Sequence, residues 1–214
     1  MVRVDFMNKK AFTLIELIVT MTIVTLLILT AIPRYNLFIH KQDQAAQAQQ
    51  IAECIQNGQQ KASVPQSQSS YISNLRYTLV VLNFDSTSGI TCTQTEHTSS
   101  TFDINNSGIS QIGSNPTIVN APNLVICSMS AQKYEDSAPQ TVDQPTILKV
   151  AFDSLSHGKA TRLHAAGATT IDLSAQFNQG INVQFIVSDY QSNCLNNDRQ
   201  IITIPALGAS ITVQ

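Results

Sequence analysis

Hydrophobic positions along the chain follow two patterns, and the first is a continuous run near the start. Residues 12–32 are predominantly apolar, contain no Gly or Pro, and carry one charged residue, Glu16. At about 1.5 Å per residue a helix of this length extends about 31 Å, which is about one hydrocarbon thickness of a bilayer. The run therefore predicts a membrane-spanning helix.

The helix is expected to continue through residues 33–62, which are rich in Ala and Gln. Because Pro33 would remove one backbone hydrogen bond and clash with the preceding turn, we expect the helix to be bent or locally melted there. The continuation is predicted to be amphipathic and to pack on a globular head. The apolar residues at mostly helical spacing are Leu37, Phe38, Ala45, Ala48, Ile51, Ala52 and Ile55.

Residues 63–214, called the head below, have a β-rich pattern. The Pro- and Ser-containing stretch 63–70 predicts a loop, and the polar stretch 130–144 predicts an exposed loop. We expect an α+β fold in which the long N-terminal helix packs on an antiparallel sheet. Val, Ile, Thr and aromatic content predicts strands at 77–84, 123–129, 146–152, 181–187, 199–204 and 209–213, with turns at 85–89, 153–159 and 205–208.

Charge predicts how the chain is oriented and which partners it lacks. Lys9 and Lys10 stand directly before the apolar run, and positive residues beside a membrane segment tend to stay cytoplasmic. The head is therefore predicted to lie outside the cytoplasm, although Arg34 and Lys41 on the far side weaken this orientation. The net charge of −2 gives no electrostatic footprint for nucleic acid, so nucleic acid is not expected as a partner.

A secretory signal peptide is the competing interpretation of the N-terminus. Two features count against it. The apolar run exceeds the usual length of about 7–15 residues, and Leu29 stands where a cleavage site needs a small residue.

The stretch "KKAFTLIEL", followed by an apolar run and "AIPRYN", resembles the N-terminus of type IV pilins and pseudopilins over roughly residues 9–36. The resemblance implies that residues 1–11 are a leader, which a prepilin peptidase removes by cutting between Ala11 and Phe12. The new amine of Phe12 is then methylated. Ala11 departs from the Gly that is usual before the cut. The implied partners are membrane lipid before assembly, an inner-membrane assembly platform with its ATPase, and other pilin or pseudopilin subunits in a helical filament.

Placing the charge of Glu16 in a bilayer costs free energy, and this resemblance implies a reason for that cost. A charged side chain at a helix centre in a bilayer costs about 2.5–3.5 kcal/mol on insertion scales, so the carboxylate needs a partner. The partial positive charge of the helix N-terminus favours it. The resemblance places Glu16 at the fifth position after the cut, where it would meet the N-terminal amine of a neighbouring subunit in the filament. The alternative is a shallow glutamate that reaches the headgroups and has no further role.

The remaining chemistry is limited to cysteines and scattered histidines. All four cysteines fall on the predicted outer side, where disulfides are permitted, and three connectivities are open. Bonding the cysteine on the helix to a strand would tie helix to head. No spacing suits a metal, and the histidines lack catalytic motifs around them, so we expect no metal, no cofactor and no enzymatic activity. A glycosylation tripeptide begins at Asn105. The cysteines are Cys54, Cys92, Cys127 and Cys194, and the histidines are His40, His97, His157 and His164.

Two functions from different classes follow. The first is a structural subunit of a type IV pilus or a secretion-type pseudopilus, held in the inner membrane and then moved into an extracellular or periplasmic filament. The second is an unprocessed, single-pass membrane-tethered binding domain, in which residues 1–11 stay attached. The rhythm of strands and turns loosely resembles the H-type (FimT-like) minor pseudopilins. A major or minor subunit, the ligand of the head, and a role in adhesion, motility, DNA uptake or secretion are left open.

Overall fold

The computed structural model describes the chain in segments. They are residues 13–63, 76–85, 88–98, 104, 111–134, 138–154, 156–157, 159–175, 179–189, 194, 199–206 and 208–214. The predicted loop at 64–70 and the tripeptide at Asn105 lie outside these residues. Contacts between residues divide the chain into two compact units, Met1–Gln42 and Asp43–Gln214. The second is called the globular unit below.

Helix α1 comprises Leu14–Ser63. It runs through Pro33 without interruption, so the local melting expected there is absent, while a bend stays a prediction. Within the globular unit α1 buries an apolar stripe against the sheets, as the pattern predicts. Phe38 and Ala45 were expected in that stripe but are exposed. The buried residues of the stripe are Ala48, Ile51, Ala52, Cys54, Ile55 and Ala62.

In the described part of the chain, eleven strands form two antiparallel sheets. One has six strands in the order β3-β2-β1-β6-β7-β8, and the other has five in the order β11-β10-β9-β4-β5. The strands are β1 Arg76–Asp85, β2 Gly89–Thr98, β3 Gln111–Ala121, β4 Leu124–Lys133, β5 Gln140–Asp143, β6 Ile147–Asp153, β7 Ala160–Ala166, β8 Thr170–Ser174, β9 Ile181–Asp189, β10 Arg199–Ile204 and β11 Thr212–Val213.

These elements confirm the α+β fold and each predicted strand, although the closing strand is only the short β11. The predicted turns at 85–89, 153–159 and 205–208 join antiparallel neighbours. Two expectations are wrong. The head contains two sheets rather than one, and the stretch 130–144 is not an exposed loop. It holds the end of β4 and all of β5, whose Val142 is fully buried because it faces the core between its exposed neighbours.

The core lies between α1 and the inner faces of the sheets. Alternation along β1 directs Val80 and Leu82 inward, where they join Ile51 and Ile55 of α1 in one cluster of buried side chains. A smaller cluster on the other face of β1 includes Leu79. The position of α1 against the six-stranded sheet is thereby fixed by apolar contacts.

α1 approaches β1 closely at Gly58. A Cβ atom added to Gly58 would lie 2.5 Å from Cγ2 of Val80. A polar contact is made beside it, where the Gln94 side-chain amide donates to the carbonyl oxygen of Cys54. Nζ of Lys61 donates to Oε1 of Gln94 at 3.0 Å. The buried Gln94 side chain therefore has partners on α1 for both of its ends, which offsets the cost of its burial.

Two disulfides join elements that are distant in sequence. Cys54 of α1 is bonded to Cys92 of β2, with Cα atoms 6.6 Å apart, and this bond ties the helix to the six-stranded sheet. Cys127 of β4 is bonded to Cys194, which lies between β9 and β10, with Cα atoms 5.5 Å apart. Cys127 lies at an irregularity in the pairing of β4 with β9. All four cysteines are thus in bonds.

Candidate functional site

The start of α1 is a capped helix end. The amide of Glu16 donates to the Thr13 carbonyl oxygen at 3.1 Å and to Thr13 Oγ1 at 3.3 Å. Thr13 is therefore the N-cap residue and Glu16 occupies the third helical position, which is the spacing of a Thr-x-x-Glu capping box. The carboxylate of Glu16 is exposed in the first turn, where the partial positive charge of the helix end favours it.

The side chains of α1 from Leu14 to Ile32 form an apolar surface on all sides. Every large hydrophobic residue described in this stretch is exposed, from 78% for Leu14 to 48% for Val19. Among the described residues, α1 is the one helix long and apolar enough to cross a membrane, and none of its apolar window is buried. This surface fits single-pass membrane anchoring, because lipid covers apolar side chains that the chain itself leaves uncovered.

The threonine hydroxyls inside the apolar stretch are satisfied within the helix. The hydroxyls of Thr20, Thr22, Thr25 and Thr30 donate to backbone carbonyl oxygens three or four residues earlier, at 2.7–3.3 Å. A bilayer core offers no water to these groups, so internal hydrogen bonds lower the cost of placing threonine there. The threonines are therefore compatible with a spanning or packed helix.

Residues 6–32 match the family described as the prokaryotic N-terminal methylation motif. This motif is the class III prepilin leader found in type IV pilins and pseudopilins. No curated protein and no solved structure matches the chain. The motif supports a precursor of the pilin or pseudopilin type, and it implies a structural subunit, processing by prepilin peptidase, and assembly with other pilins.

The predicted site residues of this pilin-like precursor fall in different places. Lys9, Lys10, Ala11 and Phe12 lie outside the described residues. Glu16 is in the first turn of α1. The N-cap role of Thr13 was missed in the sequence, although the Thr-x-x-Glu spacing before an apolar run is a recognisable sign of a helix start.

The histidines of the described residues are dispersed and make local contacts. Nδ1 of His164 lies 2.6 Å from Oδ1 of Asp172 on the neighbouring strand, and Nε2 of His97 lies 2.8 Å from Oγ1 of Thr95. His157 is in the β6–β7 turn with a φ of 54°. Within the described segments, no group of three or more His, Cys, Asp and Glu side chains could hold a metal ion.

Tyr77 is a buried titratable group of the head with a clear shift in its pKa. It lies opposite His97 on one neighbouring strand and opposite Asp153 on the other. Burial raises the pKa of Tyr77 above 10.0, the carboxylate of Asp153 raises it further, and the Arg162 guanidinium opposes the rise. That guanidinium lies 5.5 Å from the centre of the ring. Tyr77 is thus held neutral and packed, which is a structural arrangement.

Proposed function

We propose that this protein is a structural subunit of a type IV pilus or a type II secretion-like filament. Prepilin peptidase cuts the precursor between Ala11 and Phe12, and the new amine of Phe12 is methylated. The apolar part of α1 holds the subunit in the inner membrane, with the head outside the cytoplasm. An assembly platform and its ATPase then move the subunit into an extracellular or periplasmic filament. The methylation motif at residues 6–32 supports this sequence of events.

The observation that carries the proposal is the uncovered apolar surface of α1 beside an ordered helix start. Leu14, Leu26 and Leu29 are each at least 65% exposed, and apolar surface on all sides of a helix needs a covering. Lipid provides the covering in the precursor. Neighbouring copies of the same helix provide it in a filament, where apolar contact with other subunits replaces apolar contact with lipid.

Glu16 is proposed to mark the axial register of the filament. Cleavage creates a cation at Phe12, and methylation leaves that amine able to bind a proton. The Glu16 carboxylate of one subunit pairs with the amine of its neighbour, and any register that leaves both charges unpaired in an apolar surrounding is penalised. In the uncut precursor the nitrogen of Phe12 is a peptide amide and carries no charge, so this pairing requires cleavage.

The mature N-terminus tests the proposal. Protein purified from cells that contain prepilin peptidase is expected to begin at N-methylated Phe12, as read by intact mass and by the mass of the N-terminal peptide. The same protein from cells without the peptidase serves as the control and should retain residues 1–11. The processed form is expected in sheared filaments. A leader that stays attached in peptidase-containing cells contradicts the proposal and favours a membrane-tethered binding domain.

A further inference from the structure

A groove of about 430 Å³ lies at the end of the globular unit that contains Asp43 and Gln47 of α1. Its walls come from β1, β4 and the turn between β5 and β6. The hydrogen bonds of Asn123, which directly precedes the lining residue Leu124, show this location. The Asn123 amide donates to Oε1 of Gln47 at 3.1 Å, and its side chain donates to Oδ2 of Asp43 at 3.2 Å. Those two residues are the first turn of α1 within the globular unit. The apolar lining residues are Phe84, Leu124, Val125, Ile126 and Pro145.

One carboxylate lines this groove, and a second stands next to its lining. Asp85 is part of the lining and is exposed, and its Oδ2 accepts a hydrogen bond from Ser88 at 2.9 Å. Asp143 is exposed directly before the lining residue Gln144. Arg199 is at the same end, where its guanidinium donates to the carbonyl oxygen of Cys194. The lining is therefore partly apolar, with two carboxylates and one guanidinium around it, and its complement is an apolar side chain with a cation that can face Asp85.

Segment 34–41 of α1 has this complementary chemistry. Tyr35, Phe38 and Ile39 are 64%, 56% and 43% exposed. Helical spacing places Phe38 on one line with Arg34 and Lys41, because residues four and seven apart share a face. The segment thus presents a large aromatic side chain between two cations, just beyond the apolar stretch 14–32.

We propose that this groove of one copy binds segment 34–41 of a second copy, with Phe38 between the apolar lining residues and Arg34 facing Asp85. This contact rests on the proposed function, since the two copies meet in the filament. It is heterologous, because the two copies contribute different surfaces. A heterologous contact that does not close into a ring repeats along a helical array, which is the symmetry that a filament requires.

Photocrosslinking in assembled filaments tests where Phe38 lies. The full chain carries a benzoyl-phenylalanine in place of Phe38 and is expressed in cells that process and assemble it. Irradiation is expected to give a covalent dimer on a reducing gel, and peptide mapping should join the probe to residues 84–89, 124–126 or 144–146. A crosslink within one chain stays monomeric on the gel and overturns the proposal.

Charge reversal tests the ion pair. Arg34→Glu and Asp85→Lys are each expected to lower the amount of subunit in sheared filaments about tenfold or more, because each places like charges together. Combining Arg34→Glu with Asp85→Lys is expected to restore incorporation. Arg34→Lys should retain it. Lys133→Glu, a reversal of the same size at the far end of β4, is the matched control and should leave incorporation unchanged.

The outcomes separate this contact from the proposed function. Folding of each variant is checked by its disulfides and unfolding midpoint in detergent, and Asp143→Lys replaces Asp85→Lys if the latter does not fold. Filaments of cleaved subunits in which Phe38 crosslinks only to other α1 helices overturn the groove contact and leave the proposed function intact. Failure of the combined reversal to restore incorporation has the same meaning. An uncleaved leader without filaments overturns both.

Discussion

Two roles are proposed for Glu16, one in capping the helix and one in filament assembly, and substitutions can separate them. As the third residue of the helix it has the spacing of a capping box with Thr13, whose Oγ1 accepts from the Glu16 amide, and in the proposed filament its charge pairs with an amine. Gln also suits a capping box but carries no charge. Glu16→Gln is therefore expected to keep helix α1, membrane insertion and leader cleavage while lowering filament incorporation. The measurement compares cleaved subunit in membranes with subunit in sheared filaments.

Thr13 supplies the matched control for this prediction. Thr13→Ala removes the cap at a cost of about 1 kcal/mol of helix stability but leaves the carboxylate in place, and Thr13→Ser keeps both. Incorporation of Thr13→Ala above that of Glu16→Gln is expected if the charge matters more than the cap. Equal incorporation of Glu16→Gln and the unchanged protein would show that the charge pairing is dispensable.

At the scale of single residues, the sequence predicted which side chains carry notable chemistry better than it predicted which residues they contact. Glu16 stood out because a carboxylate in an apolar run is costly, and that cost is visible in the sequence. The pairing of Cys54 with Cys92 was not visible, since four cysteines allow three connectivities and the choice depends on which strand faces α1. Likewise, alternation places Leu79 and Val80 on opposite faces of β1, but the sequence does not show which of the two faces packs against α1.

At the scale of elements, Gly58 sets how closely α1 packs on β1. Gly58→Ala would place a methyl group 2.5 Å from Cγ2 of the buried Val80, so one element must shift. The expected overpacking cost of about 1–3 kcal/mol exceeds the gain of up to about 1 kcal/mol from replacing a helical glycine. The free energy of unfolding should therefore fall by about 1–2 kcal/mol. Denaturant unfolding of the full chain in detergent measures it.

Two companion variants make this prediction specific. Asn57→Ala, at an exposed position of the same turn, should be neutral or slightly stabilising because only helix propensity changes there. Val80→Ala removes the clashing methyl group, so the double variant with Gly58→Ala should be destabilised by less than the sum of the single variants. Additive effects, or a stabilised Gly58→Ala, would show that α1 and β1 are not in close contact at this point.

The strands that were missed explain the limit of sequence patterns at this scale. β2 alternates, but its inward residues include Cys92 and Gln94, which have neither the size nor the apolarity of a usual core position. The burial of Gln94 depends on partners on α1, and these are 33 and 40 residues away. β5 is only four residues long, and one of them, Val142, is buried. These segments are strands because they pair with neighbouring strands in the sheets, and a local sequence pattern does not contain that pairing.

For the whole molecule, the division between Gln42 and Asp43 separates two kinds of surface. The large apolar side chains that are exposed in the described residues are concentrated at 14–39, with Ile118 and Tyr134 as exceptions. The buried core of those residues and both disulfides belong to Asp43–Gln214. From hydropathy the sequence predicted an apolar stretch at 12–32, an amphipathic stretch at 33–62 and a head at 63–214. The part of α1 from Asp43 to Ser63 completes the core of the globular unit, although it continues the same helix.

A fragment comprising residues 43–214 is accordingly expected to be soluble without detergent, monomeric, and folded with both disulfides formed. Its core is intact, since Ile51, Ile55 and Cys54 are retained and the uncovered apolar helix is gone. Light scattering after size exclusion, denaturant unfolding and peptide mapping under nonreducing conditions measure these properties. A fragment comprising residues 64–214 is the control and should lose cooperative unfolding, because removing α1 leaves Cys92 unpaired and the inner face of β1 uncovered. Aggregation of the longer fragment, or cooperative folding of the shorter one, would contradict the assignment of the second part of α1 to the core.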